Sequence, residues 1–82
     1  MRYSARTEVS LKPGHIDPEG ETTAQLLNEL GYKILTVKVS KIYNTVFEAN
    51  SKEEAEKIAE EMCRRLLANP TKDDYALTIE EG

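Results

Sequence analysis

The stretch KILTVKVSKIYNTVFEA, Lys33 to Ala49, decides the fold. It is rich in β-branched and aromatic residues, the types that suit a pleated, half-buried surface. It is also far longer than the common strand of about five or six residues. A single strand of that length would overrun a small sheet, so the pattern predicts a hairpin. Val37 and Val39 share a face in its first arm, and Tyr43, Thr45, Phe47 and Ala49 share one in its second. The bend falls near Ser40 and Lys41, without the Asn-Gly pair that marks a tight turn.

Working outward, Tyr3, Ala5, Thr7, Val9 and Leu11 alternate with Arg2, Ser4, Arg6, Glu8 and Ser10, which predicts a half-buried first strand. Asp17 then suits an N-cap and Pro18 the first helical position, where a missing N–H costs nothing. Leu26, Leu27 and Leu30, with Thr23 a turn earlier, form an apolar stripe that ends at Gly31. Downstream, Ser51 and Glu54 form a capping box for a second helix from Lys52 to about Ala68. Its core face is Ala55, Ile58, Ala59, Met62 and Leu66, and its outer face carries Glu/Lys and Glu/Arg pairs four apart. Pro70 follows the helix, and Tyr75, Leu77 and Ile79 alternate in a last strand.

The order βαββαβ predicts an α+β, ferredoxin-like sandwich over residues 1–82: a four-stranded antiparallel sheet with both helices on one face. The second and fourth strands would be its edges. Ile42 and Val46, out of phase with Phe47, place apolar side chains on the face without helices.

Composition narrows the function. With 82 residues and 9.3 kDa there is room for one small core, and association with other chains is a reasonable expectation. Eleven basic against fifteen acidic residues give a net charge of −4, the wrong sign for phosphate neutralisation. One cysteine, Cys63, excludes an internal disulfide and leaves no zinc or thiol-redox pattern. No apolar run nears the roughly 20 residues of a membrane span, so a cytoplasmic protein is expected.

Reactive side chains are sparse. His15 is the one group with an ordinary pKa near neutrality, but no Ser, Cys or second His lies near it in sequence. Cys63 sits mid-helix beside Met62 and reads as a small hydrophobe. Lys12 and Gly14 precede a helix start without any phosphate-binding glycine pattern. The residues by themselves describe a domain that acts by binding, and the fold does not choose between an assembly subunit and a free-standing regulatory domain for a small metabolite.

Four stretches taken together are more specific: LKPGHIDPEG (Leu11–Gly20), LNELGY (Leu27–Tyr32), VSK (Val39–Lys41) and EEMCRRLLANPTKDDY (Glu60–Tyr75). They resemble the PurS family, small subunits of phosphoribosylformylglycinamidine synthase, along nearly the whole chain. His15 stands where that family tends to carry an apolar residue, and Ser40 where it tends to carry Gly. The resemblance implies a non-catalytic subunit of an ATP-dependent C–N ligase in purine biosynthesis. It implies a homodimer or higher oligomer that bridges a large synthetase subunit (PurL) and a glutaminase subunit (PurQ) and supports ammonia transfer. It implies no cofactor in this chain, with ATP, Mg and glutamine used by the partner subunits. Within the matching stretches, Lys12, Pro13, Gly14, His15, Asp17, Lys41, Asn69 and Pro70 become the candidate partner contacts.

Overall fold

A computed structural model describes residues 1–82. Its elements in chain order are β1 (Arg2–Leu11), α1 (Pro18–Glu29), β2 (Lys41–Glu48), α2 (Lys52–Met62), a π-helical turn (Cys63–Leu67) and β3 (Asp73–Glu81). The sheet has three antiparallel strands in the order β2-β1-β3, not the four expected. Its edges are β2 and β3. The second half of Lys33–Ala49 forms β2 in the expected phase, and the first half forms no strand.

The reason lies in α1. Residues 33–40 run back beside that helix as an extended arm whose backbone is held by side chains. Asn28 accepts from the Ile34 amide at 2.9 Å and donates to the Ile34 carbonyl at 3.2 Å. Asp17 accepts from the Val39 amide at 2.8 Å, and the Ser40 hydroxyl donates to Glu8 at 3.0 Å. The Ile34 amide and carbonyl and the Val39 amide, which a neighbouring strand of the same sheet would need, are taken by Asn28 and Asp17. At the middle of the arm the Val37 carbonyl lies against Gly20, where a Cβ would collide with it.

Gly20 therefore sits in a helix because of contact, not propensity. Alanine raises helix propensity by about 1 kcal/mol, yet a methyl driven into a backbone carbonyl costs about 1–3 kcal/mol. Gly20→Ala should give a net loss of stability in urea unfolding and faster hydrogen exchange at Val39. A stabilised variant with a protected Val39 amide would contradict the packing.

Both helix starts follow the sequence reading. Asp17 caps α1 through Gly20 N–H at 2.9 Å, and Ser51 caps α2 through Glu54 N–H at 3.1 Å. Only that half of the predicted capping box forms, because Glu54 accepts from the Asn50 side chain instead of reaching back to the cap amide. The end of α1 is a Schellman turn: Tyr32 N–H donates to Leu27 O and Gly31 N–H to Asn28 O, with Gly31 at φ 103°. Past Met62 the second helix widens into its π turn, closed by Ala68 N–H on Cys63 O at 2.9 Å.

Only α2 covers the sheet. Tyr3, Ala5, Thr7 and Val9 of β1 are buried beneath it, with Ala55, Ala59 and Cys63 on its inner side. Tyr3, Ala49 and Ala55 form the centre, with Phe47, Ile58 and Ile79 packed against them. The expectation that both helices lie on one face is overturned, since α1 and the arm project beyond the sheet. The molecule measures 52 × 26 × 14 Å, with a radius of gyration of 16.4 Å where a compact chain of this length has about 12 Å.

Projection leaves apolar side chains in water. Leu35 on the arm is 99% exposed and Leu30 at the end of α1 is 75% exposed. Leu26 and Tyr32 are exposed with them, so the predicted α1 stripe exists but faces no core of its own chain.

Candidate functional site

The expected contact residues gather at one end of the sheet. The end of β1 is held to the loop before β3: Lys12 N–H donates to the Lys72 carbonyl at 2.7 Å, and Lys12 Nζ pairs with Asp74 Oδ1 at 2.8 Å. Pro13, Gly14 and His15 then form an exposed turn, with Gly14 at φ 91° and His15 N–H on the Lys12 carbonyl at 3.3 Å. This turn, Lys12, Asp17 and the arm residues Lys38, Val39 and Ser40 border a hollow of about 350 Å³.

Lys41, the first residue of β2, lies beside that hollow, bordering a second one with Leu11, Asp17 and Lys72. Asn69 organises the loop that follows: its side chain accepts from Thr71 N–H and its carbonyl from Lys72 and Asp73 N–H. Asp73 returns the favour by accepting from Asn69 N–H at 2.9 Å. Pro70 is exposed at the tip. The corner is thus a rigid, polar surface built from three separate parts of the chain.

Asp17 holds two separate segments at once. Backbone N–H groups of Gly20 and Val39 both point at its carboxylate and hold its pKa below the ordinary value. It fixes where the arm leaves α1 and so shapes the hollow.

Elsewhere the titratable groups have structural surroundings. Burial pushes the Cys63 thiol up, and the thiol is wholly enclosed between α2 and β1, with Thr7 as its hydrogen-bond neighbour. The Tyr75 hydroxyl donates to Glu60 at 2.7 Å, which pushes the phenol up. No group of three or more His, Cys, Asp or Glu is arranged to hold a metal ion, and no helix is long and apolar enough to cross a membrane.

Sequence reasoning missed the features that set this molecule apart: the arm, its hold on Asn28 and Asp17, and the bare stripe of α1. The stripe itself was legible at Leu26, Leu27 and Leu30, but its lack of a core to face depends on the arm, which has no local signal.

The corner, the arm and the uncovered helix are the surfaces this chain presents. These features define a small α+β association module. Residues 4–81 match the model of the PurS family, described as phosphoribosylformylglycinamidine (FGAM) synthase. The Archaeoglobus fulgidus phosphoribosylformylglycinamidine synthase subunit PurS is 43% identical over 74 residues, covering 89% of this chain and 92% of that protein. The crystal structure of Methanocaldococcus jannaschii PurS, one of the subunits of formylglycinamide ribonucleotide amidotransferase in the purine biosynthetic pathway, shares 37% identity. It superposes with a TM-score of 0.85 over 98% of each chain, a coverage that takes in α1 and the arm. A chain in the structure of PurLQS from Thermotoga maritima is 27% identical, with a TM-score of 0.87 over 98% of this chain and 99% of that one. The chain belongs to the PurS family, the small subunits of FGAM synthase in purine biosynthesis.

Proposed function

We propose that this chain is the assembly subunit of a cytoplasmic FGAM synthase: it self-associates and joins a PurL-type synthetase to a PurQ-type glutaminase. Ammonia released from glutamine then reaches the ATP- and Mg-dependent synthetase without escaping to water. The Thermotoga PurLQS structure supports the partner set, because its matching chain spans the whole of this one.

The observation that carries the reading is surface. A folded chain of 9.3 kDa exposes roughly 5,000 Å² by the size relation, whereas this one exposes 6274 Å². The excess, about 1,300 Å², is comparable to the share of about 800 Å² that one protein gives to a standard interface. An arm with strand-forming residues and a free β2 edge supply the means for self-association, since an edge strand offers unpaired backbone groups to another chain.

The corner at Lys12 and His15 is the proposed contact with the larger subunits. Lys12→Ala with His15→Ala should cut recovery of the three-component complex by about tenfold while far-UV circular dichroism stays unchanged. The fold should tolerate the change, because the Lys12–Asp74 pair is exposed (39% and 55%) and such pairs are worth at most about 1 kcal/mol. Full recovery of the complex would return this corner to a purely structural role.

A further inference from the structure

The sheet face away from α2 has no cover in this chain, and an unpaired arginine stands at its centre. Three rungs of that face span all three strands: Ser4 between Val46 and Glu80, Arg6 between Asn44 and Thr78, and Glu8 between Ile42 and Ala76. Arg6 is therefore on the middle strand and the middle rung. It is exposed, and no carboxylate of the chain lies within 4.0 Å of its guanidinium. Ser4, Asn44 and Thr78 border a hollow of about 200 Å³ beside it, and Val46 (64% exposed) and Ile42 (40% exposed) add apolar surface along β2.

The acidic groups of this face are engaged elsewhere or out of reach. Glu8 accepts from the Ser40 hydroxyl at 3.0 Å, Asp74 pairs with Lys12 at 2.8 Å, and Glu48 lies 3.5 Å from the N-terminal ammonium. Glu80 borders the same hollow as Arg6 and makes no ion pair. A guanidinium presents a planar fork of N–H donors that meets a carboxylate with two parallel hydrogen bonds. Arginine with apolar neighbours is also the composition of an interface centre.

A second copy does not suit this face. Two copies packed face to face about a twofold axis through these rungs would set Arg6 against Arg6, a like-charge contact. Self-association through the β2 edge and the arm leaves the face open, and Glu8 and Ser10 carry it without a break into the corner at Lys12 and His15. We infer that the open face seats an apolar segment of one of the larger subunits, with a carboxylate of that segment on Arg6 and a neutral or basic side chain over Glu80. This inference rests on the assembly role proposed above and adds a second contact to it.

The test uses the three-component complex of full-length chains, with a photo-reactive p-benzoylphenylalanine at Val46 and the crosslinked peptides identified by mass spectrometry. The expected crosslinks join position 46 to a single segment of a larger subunit that contains Asp or Glu. Arg6→Glu should cut recovery of the complex by about tenfold or more, with the circular dichroism spectrum and the light-scattering mass of the isolated chain unchanged. Reversing the crosslinked acidic residue to Arg should restore recovery. Crosslinks to a second copy, no crosslinks from an intact complex, full recovery with Arg6→Glu, or a lower mass of the isolated variant each overturn the inference. In those cases a wild-type complex leaves the assembly role standing, whereas a wild-type mixture that yields no complex removes both.

Discussion

Replacing Tyr3 by alanine should lower the stability of the domain by about 3–5 kcal/mol, the range measured for deleting a buried aromatic ring. Tyr3 is only 3% exposed and lies where β1, α2 and the end of β2 meet, between Ala49 and Ala55 and against Phe47, Ile58 and Ile79. The surrounding alanines are too small to close over the space left. Domains are stable by only about 0.05–0.15 kcal/mol per residue, so this loss removes a large part of the total. Val46→Ala, on the open face, should change stability by no more than about 0.5 kcal/mol. Urea unfolding at one fixed protein concentration compares them, since self-association couples stability to concentration. Equal effects at the two sites would contradict the assignment of the covered face.

Asp17→Ala should release the arm. One carboxylate accepts from Gly20 N–H to start α1 and from Val39 N–H to hold the far end of residues 33–40. Removing it takes away the cap and the tether together, and the amides of the first turn of α1 and of Val39 should exchange about tenfold faster or more, while those of β1 are unaffected. Acid should mimic the substitution. The folded-state pKa is lowered, so the stabilisation is fully present above the ordinary carboxylate pKa and is lost as pH falls through the lower folded value. Protection of the Val39 amide, its exchange relative to the intrinsic rate at each pH, should therefore fall below about pH 4 in the wild type and not in Asp17→Ala. Identical acid profiles in the two proteins would place the tether elsewhere.

Elements whose stabilising contacts are local were legible in the sequence. The alternation of β1 and β3, the caps at Asp17 and Ser51 and the stop at Gly31 each depend on residues within a few positions of one another. The first half of Lys33–Ala49 was not. Its strand composition is real, but its fate depends on Asn28 and Asp17, which lie 6 and 22 residues before the amides they hold. No strand pattern contains that competition. The stripe of α1 was legible as a stripe, whereas its lack of a core to face follows only from the arm. The π turn carries no sequence signal we can name. As for the site, the turn at Lys12–Asp17 stood out locally, but its meeting with Lys41 and with the Asn69 loop is a consequence of sheet register.

The function proposed for this chain is to bring larger subunits together, with no chemistry of its own. Reconstitution with the PurL- and PurQ-type subunits of the same organism, with mass measured by light scattering and activity measured on glutamine and on ammonia, tests that directly. The expected result is a three-component complex whose glutamine-dependent activity disappears when this chain is left out, while ammonia-dependent activity persists. No complex, or an equal loss of both activities, would contradict it.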